Sequence, residues 1–145
     1  MTRRAGRRAA IVVLVAIAAA AASPLVHAQD PRSAAAQDAA RDWLAIVDRF
    51  DAEASFEAAG EPFRKALGAE GWVTAMKKVR EPLGAVVQRT AVQTTFSNQA
   101  PGLAAGEYAL IIFRTAFARR PVTREMVTLH VDAYRWQVVG YSIQQ

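Results

Sequence analysis

The sequence predicts an α+β domain in which N-terminal helices pack on one face of a curved, four-stranded antiparallel sheet. In the first half of the chain, apolar residues recur at steps of three and four, the spacing of a helix face. The second half is rich in β-branched and aromatic residues, in short runs separated by turn residues. Consecutive strands joined by short loops pair antiparallel, so we expect a meander covered by a layer of helices.

The first 28 residues have the three parts of a signal peptide. Four arginines come first, an uncharged stretch over residues 9–26 follows, and Val26-His27-Ala28 provides the small-residue pattern that signal peptidase reads. The alternative is a membrane anchor, but this stretch is rich in alanine and contains Pro24, whereas a span needs about 20 strongly apolar residues. We expect cleavage after Ala28, which leaves residues 29–145 as a single periplasmic or secreted domain without a membrane span.

Removal of the signal peptide changes what the charge implies. The whole chain has 18 basic and 13 acidic residues, net +5, but residues 29–145 have 14 basic and 13 acidic residues, net +1. A near-neutral domain is not expected to bind nucleic acid. The chain has no cysteine, so a disulfide framework and a thiol nucleophile are excluded. Because His130 is the one histidine left after cleavage, no histidine-rich metal site is expected, and no cofactor is expected either.

Three or four short helices are expected, separated by Gly and Pro. The first begins after Asp30, with Pro31 in its first turn, and the helix acids Asp42 and Asp48 face away from its apolar stripe. A second helix is expected over residues 52–59, a helical turn over 63–67 that ends at Gly68, and a third helix over 70–80. The apolar stripe of the first helix consists of Ala36, Ala40, Trp43, Val47 and Phe50.

The four strands are expected over residues 86–96, 107–118, 122–131 and 135–143. The second strand is apolar on both faces, whereas an antiparallel strand with one face in water alternates. Something should therefore cover its second face, either another subunit or the end of the chain. A homodimer through the sheet is the partner that this patch favours.

Several local sequences resemble a family of small exported bacterial proteins catalogued as domain of unknown function 4019. The matching pieces are 40–44 (ARDWL), 71–73 (GWV), 79–84 (VREPLG), 125–129 (EMVTL) and 136–141 (WQVVGY), together with Phe56 and Pro62-Phe63. The resemblance implies a fold similar to the nuclear-transport-factor-2-like cone, in which helices and a bent sheet enclose a pocket. It implies no activity, because such folds serve both isomerases or cyclases and simple binding proteins.

The candidate pocket residues are aromatic or polar side chains from both halves of the chain. The aromatic ones would line an apolar ligand pocket if the cone is hollow, and otherwise they form an ordinary core. Tyr108 and Arg114 share a strand face and could orient a polar ligand. His130 is either a general base at a pocket rim or, as we favour, a surface or interface histidine. The candidate residues are Trp43, Phe50, Trp72, Tyr108, Phe113, Arg114 and His130.

Two classes of function stay open. A binding or interaction module without catalysis is favoured, because the sequence has no nucleophile elbow and no phosphate-binding loop. The alternative is a small-molecule isomerase or cyclase that uses a carboxylate in the cone. The acids available for this role are Asp42, Asp48, Glu107, Glu125 and Asp132. The strongly basic segment 62–124, which includes Arg80, is expected to be mainly a solvated surface facing the acidic segment 29–61, with a docking face for anions as the alternative. A cavity with a buried acid directed into it would distinguish the enzyme from the binder.

Overall fold

The computed structural model describes residues 30–145. The predicted signal peptide, residues 1–28, lies outside the described residues and stays a prediction. The α+β class is confirmed, with the helices preceding the strands along the chain. The elements are α1 (Pro31–Asp48), α2 (Ala52–Ala58), α3 (Glu61–Ala75), a π-helical turn (Met76–Arg80), a 3-10 turn (Glu81–Leu83), β1 (Val86–Ser97), β2 (Tyr108–Phe117), β3 (Arg120–Asp132) and β4 (Arg135–Gln144).

The helix starts and breaks follow the local sequence. The Asp30 side chain caps α1 by accepting from the Arg32 amide, and Asp51 caps α2 by accepting from the Ala54 amide at 3.0 Å. In α3 the backbone at Gly68 is left-handed, with φ 66° and ψ 161°, so the element consists of two helical pieces joined at a kink. This kink is where the sequence predicted a break, because only glycine adopts such angles without strain.

The segment after α3 differs from the predicted straight helix over residues 70–80. Its last five residues widen into the π-helical turn, in which the Glu81 amide donates to the Met76 carbonyl. The 3-10 turn that contains Pro82 follows directly, and Gly84, with φ 79°, ends the helical region. This sequence of turns carries the chain from the helix layer into β1 and brings the Arg80 side chain to the interior.

The four strands form one antiparallel sheet in the order β1-β2-β3-β4, which confirms the meander. Phe113 of β2 lies opposite Glu125 of β3, and Glu125 lies opposite Ile143 of β4. The last hairpin turns at Ala133 and Tyr134, which both have positive φ. β1 and β4 are the two edges of the sheet, and β1 contains two irregularities in its register with β2.

The core lies between the helices and the inner face of the sheet. The apolar stripe predicted for α1 is buried up to Val47, whereas Phe50, just beyond the helix, is 39% exposed. Trp43, Phe63 and Trp72 from the helices meet Phe113 and Leu129 from the sheet in one continuous cluster. The space between the helices and the sheet is filled mainly by these aromatic and aliphatic side chains.

The second apolar face of β2 is covered in part by the chain itself. The loop between β1 and β2 folds onto this outer face of the sheet, where the Tyr108 hydroxyl donates to the Ala104 carbonyl at 2.5 Å. Tyr108 and Ile112 are both buried there. The predicted homodimer through the sheet is not tested by this contact and stays a prediction. No helix within residues 30–145 has the length and hydropathy needed to cross a bilayer.

Candidate functional site

A group of polar side chains lies inside the domain, at the end of the sheet where β1 begins and β4 ends. We call it the polar cluster. It joins the end of α1, the π-helical turn and all four strands. Its members are Asp48, Arg80, Arg89, Thr115, Glu125 and Tyr141.

Glu125 is the fully buried acid of the polar cluster, with 0% exposure. It occupies the inner face of β3 because it has the same strand parity as the core residue Val127. Its Oε2 atom accepts from Arg89 Nε at 2.6 Å and from Thr115 Oγ1 at 2.6 Å. Its Oε1 atom accepts from Tyr141 Oη at 2.7 Å and from Arg89 Nη2 at 3.2 Å. Both carboxylate oxygens are therefore fully engaged.

Arg89 bridges two acids from opposite layers of the domain. It donates to Glu125 on the sheet side, and to Asp48 at the end of α1 through Nη1 at 2.7 Å and Nη2 at 3.0 Å. Burial disfavours its charged form, but the hydrogen bonds and charges of Asp48 and Glu125 outweigh it and raise the pKa of Arg89. Arg89 is thus a permanent cation shared by two carboxylates.

Arg80 is 1% exposed, although the sequence placed it in a solvated basic segment. Its Nη2 donates to Asp48 at 3.1 Å, and its Nη1 donates to the Gly84 carbonyl at 2.6 Å. Its guanidinium carbon lies 4.4 Å from the ring centre of Phe117 and 5.0 Å from that of Phe50. Among the described residues its Nε–H has no hydrogen-bond partner, although the atom is buried. That orphan donor is unusual, because buried donors are nearly always paired.

Asp48 also differs from its predicted position. The sequence placed it off the apolar stripe and in solvent, but its side chain is 24% exposed and accepts from both Arg80 and Arg89. The prediction that Asp48 and Arg80 lie in solvent was wrong, because the two residues, 32 positions apart in the sequence, form an ion pair. Burial of either charge without its partner would be strongly unfavourable. Two cations and two anions make the polar cluster neutral overall.

Tyr141 connects the polar cluster to an aromatic cluster, which consists of Trp43, Phe63, Trp72 and Tyr141. Burial, followed by the negative charge of Glu125, raises the pKa of the Tyr141 hydroxyl well above its usual value. The Tyr141 ring lies edge-on to Trp43, at 5.3 Å between ring centres, and to Trp72, at 6.0 Å. Tyr141 is therefore a neutral donor whose ring is held by two tryptophans.

Ser55 of α2 holds the two tryptophans from the helix side. Its hydroxyl accepts from Trp72 Nε1 at 2.9 Å, and its carbonyl accepts from Trp43 Nε1 at 2.8 Å. Ser55 itself is fully buried. Both indole N–H groups are satisfied, so the tryptophan rings are fixed in orientation as well as in depth.

A cavity of about 260 Å³ lies between the helix side and the end of β4, next to both clusters. Among the residues that line it, Arg80, Tyr141 and Ser142 have polar side chains, and the first two belong to the polar cluster. Its remaining walls are apolar. They are formed by Trp72, Ala75, Met76, Val79 and Ile143. Concave sites of this composition, mostly apolar with a few fixed polar groups, are typical of small-molecule binding.

A larger hollow of about 460 Å³ lies between α2 and α3. Its walls include Glu53, Glu57 and Arg64, and the Arg64 guanidinium is already bonded to the carbonyls of Glu57 and Ala59. Glu53 and Glu57 are exposed. This hollow offers no buried polar group that needs a partner, so the cavity beside Arg80 is the better candidate site.

The seven residues predicted to line a pocket are divided between the two sides of the sheet. Trp43, Trp72 and Phe113 are buried in the core, and among the seven Trp72 is the one that lines the cavity beside Arg80. Phe50 covers Arg80 from outside the core. The three others belong to the outer face of the sheet, as their register shows; they are Tyr108, Arg114 and His130.

On the outer face, Tyr108 and His130 stack with 4.7 Å between their ring centres. A β-carbon at Gly106 would lie 2.6 Å from His130 Nε2, so the loop backbone passes directly over the imidazole. At the other end of β2, Arg114 lies opposite Arg124 of β3, and within residues 30–145 neither side chain forms an ion pair. The structure does not bring these residues together with Trp72.

From the sequence alone, Glu125 is one of five candidate acids without a partner, and nothing in the sequence pairs it with Arg89 or Tyr141. A signal for Glu125 existed: it shares the inward parity of Val127 and Leu129, and an acid on a core face is unusual. Arg89 likewise has the same strand parity as Ala91 on β1, so its side chain is on the same face of the strand. Which acid faces which arginine depends on packing between helix and sheet, and sequence spacing does not provide it.

The polar cluster is poorly suited to proton transfer. Glu125 accepts four hydrogen bonds, two of them from a guanidinium, so its lone pairs are occupied and it has no free site to accept a proton from a substrate. Glu125 does not line the cavity either. Within residues 30–145, no group of three or more histidine, aspartate or glutamate side chains is placed to hold a metal ion. The chemistry that the site offers is hydrogen-bond donation beside an apolar surface.

These features define a class of protein: a helical layer on an antiparallel sheet, with a neutral ion-pair network and an adjoining apolar cavity. The chain belongs to the family described as "Protein of unknown function (DUF4019)", which matches residues 39–141. This match confirms the resemblance found in the sequence, while the nuclear-transport-factor-2-like cone stays a prediction. No match was found among the curated proteins or among the solved structures.

Proposed function

We propose that the protein is an exported binding module without catalytic activity, and that it takes a small, mainly apolar molecule in the cavity beside Arg80. The observation that carries the proposal is the composition of the cavity wall, which combines Trp72, Met76 and Ile143 with the side chains of Arg80 and Tyr141. Burial of apolar ligand surface against such a wall provides the main driving force for binding.

The volume of the cavity limits the size of the ligand. An engineered cavity of about 150 Å³ with apolar walls is large enough to bind benzene. By the same proportion, a cavity of about 260 Å³ holds roughly ten non-hydrogen atoms. A ligand of that size can be an aromatic ring with a short side chain, which suits the neighbouring Trp72 and Tyr141 rings.

The enzyme alternative has less support. An isomerase or cyclase of this kind needs a carboxylate that can take a proton from a substrate in the cavity. Glu125 is buried but is committed to Arg89, Thr115 and Tyr141. Asp48 is shared by the two arginines. A binding role requires no free base, so it fits these contacts better.

Blocking the cavity tests the proposal. Ala75→Leu adds three carbon atoms to a side chain that lines the cavity, whereas Ala66→Leu makes the same change on an exposed part of α3. Butylbenzene and propiophenone, each with about ten non-hydrogen atoms, are suitable probes for a site of this size. We expect the Trp72 indole resonance to shift on titration of the wild type and of Ala66→Leu, and not of Ala75→Leu. Absence of binding of both probes to the wild type would refute the proposal.

Export and self-association need a separate measurement. Native mass spectrometry of the protein produced from the full-length gene reports the N-terminal residue, the oligomeric state and any retained ligand together. We expect a chain that begins at Gln29 and carries a ligand within the size limit set by the cavity. A mass that retains residues 1–28 would contradict export by a cleaved signal. The mass also decides whether the homodimer forms.

A further inference from the structure

The outer face of the sheet carries two arginines that face each other across neighbouring strands. Arg114 of β2 lies directly opposite Arg124 of β3, so both side chains are on the same face of the sheet. Both are exposed, and within residues 30–145 neither forms an ion pair. We propose that this pair is a second binding site, separate from the cavity beside Arg80, and that it holds a phosphate group between the two guanidinium groups.

The two arginines form an unfavourable pair without an anion. Residues directly opposite on antiparallel strands have β-carbons about 4.5–5.5 Å apart, and like charges at such positions are destabilising. The row that the pair forms across the sheet ends in two neutral residues, Thr90 of β1 and Gln144 of β4. No neighbouring side chain in this row therefore offsets the repulsion, whereas an anion that bridges the two guanidinium groups removes it.

Acids are absent from the surroundings of this pair on the sheet. Of the two acids in the four strands, Glu125 is on the inner face and paired with Arg89, and Asp132 is at the opposite end of β3. The hairpin between β2 and β3 adds Arg119 and Arg120, which are exposed and form no ion pair with any residue that the structure describes. Four arginines thus create a positive potential, which attracts anions to this end of the outer face.

A hollow of about 230 Å³ on the same face gives the site its shape. Arg114 lines it together with Gln88 and Thr90 of β1, whose amide and hydroxyl groups can also donate to an anion. The other walls are apolar and consist of Val92, Ala116 and Pro121. An apolar cavity of about 150 Å³ holds the six carbon atoms of benzene. The hollow therefore has space for a phosphate group and a few atoms attached to it.

The number of acceptor oxygens favours phosphate over carboxylate. One arginine in a bidentate pair occupies both oxygens of a carboxylate. A phosphate ester has three strong acceptor oxygens, so it can accept from two guanidinium groups at once. Arginine is also the side chain whose planar donors match phosphate geometry best. Arg114 and Arg124 together therefore fit a phosphate group better than a carboxylate.

Titration of the ¹⁵N-labelled protein with sodium phosphate, at an ionic strength kept constant with sodium chloride, tests the site. We expect saturable shifts of the Thr90 and Ala116 amide signals, because both residues line the hollow. Arg114→Gln and Arg124→Gln should each bind phosphate about ten-fold more weakly, which corresponds to the loss of hydrogen bonds from a charged group. Arg135→Gln is the matched control, because Arg135 is exposed at the opposite end of the sheet, and it should bind phosphate like the wild type.

A phosphate group reaches the protein either on a soluble molecule or on a phospholipid, and a second measurement separates these sources. The wild type and both groups of variants are sedimented with vesicles of phosphatidylglycerol and, for comparison, of phosphatidylcholine. Binding to phosphatidylglycerol that is lost in Arg114→Gln and Arg124→Gln, but not in Arg135→Gln, identifies a lipid headgroup. Phosphate binding without vesicle binding identifies a soluble phosphate compound. Either result supports the site.

Three results would overturn the proposal. The first is that neither phosphate nor the vesicles bind to the wild type. The second is that Arg114→Gln and Arg124→Gln bind as tightly as Arg135→Gln, since the anion would then lie elsewhere. The third is that acetate, titrated in the same way, binds to the wild type as tightly as phosphate. None of these results bears on the apolar cavity beside Arg80, so the two sites are tested independently.

Discussion

Replacement of Glu125 by alanine tests whether the polar cluster is a structural network. Glu125 is fully buried and accepts from Arg89, Thr115 and Tyr141, so the substitution leaves all three donors without this acceptor. Arg89 retains Asp48, which keeps half of its ion pairing. The variant therefore loses one of the two acids that pair with Arg89 and gains a cavity where the Glu125 side chain was.

The size of the effect follows from general measurements on buried pairs. Removal of one partner of a buried ion pair lowers the free energy of unfolding by about 3–5 kcal/mol. Since Arg89 keeps Asp48, we expect a value near the lower end, about 3 kcal/mol. The free energy of unfolding of a typical domain is about 5–15 kcal/mol in total, so this loss is a large part of it.

Urea unfolding followed by tryptophan fluorescence measures this loss. With an m-value of about 2 kcal/mol per M, the midpoint falls by about 1.5 M. Glu107→Ala is the matched control, because Glu107 is 45% exposed and pairs with Arg32 at the surface, so its midpoint should stay close to that of the wild type. A Glu125→Ala midpoint within error of the wild type would refute the description of Glu125 as a structural acceptor.

A second variant refines the same prediction. In Glu125→Gln, the amide oxygen can replace Oε2 and keep the bonds from Arg89 Nε and Thr115, while the amide NH₂ faces Arg89 Nη2. The Tyr141 hydroxyl can rotate to accept from that NH₂ group. We expect a loss of about 1–3 kcal/mol, smaller than that of Glu125→Ala. An equal or larger loss would show that charge, and not hydrogen bonding, dominates.

Three further predictions concern single contacts. Gly68→Ala forces a side chain into the glycine-only conformation at the kink of α3 and should lower stability by about 1–3 kcal/mol. In Gly71→Ala the added β-carbon makes an ordinary van der Waals contact, 4.0 Å from Leu67 Cβ, so this variant should be neutral or stabilising. Equal urea midpoints for the two variants would contradict this. Ser55→Ala leaves Trp72 Nε1 without its acceptor, so we expect a loss of about 1–3 kcal/mol in the same assay, and an unchanged midpoint would disprove that role. The pKa of Tyr141 in the folded protein lies above its usual value near 10. The contribution of the neutral hydroxyl to the free energy of unfolding is therefore fully present below pH 10 and is lost as the pH rises above it. The advantage of the wild type over Tyr141→Phe should therefore be constant up to about pH 10 and shrink above it in urea titrations, and a constant difference across the whole range would contradict the raised pKa.

The order and type of the elements could be predicted from the sequence because they depend on local signals. The caps at Asp30 and Asp51, the break at Gly68 and the alternation of the strands each act within a few residues. The strand bounds differ from the predicted ones by one or two residues at most ends. Local chemistry therefore determined most of the fold.

The candidate site could not be predicted in the same way. Trp72 was predicted to line a ligand pocket because it lies on an apolar helix face; it borders the cavity, and the ligand pocket itself stays a prediction. Arg80 and Asp48 were assigned to solvent because isolated charges are rarely buried, and that rule fails where two charges meet across the fold. The widening of the helix at Met76–Arg80 also has no signal of its own in the sequence. The site depends on contacts between distant segments, and its residue types alone do not reveal them.

Arg89 lies on β1, an edge strand of 12 residues that contains no proline and no lysine. The free backbone groups of such an edge strand can pair with strands of other molecules. An inward-pointing charge and irregularities in the strand both disfavour this pairing. If β1 shifted by one residue against β2, Arg89 would turn to the outer face and Asp48 and Glu125 would remain inside without their shared cation. A shifted register is therefore strongly disfavoured. We expect the buried Arg89 to disfavour misfolded and aggregated states in this way.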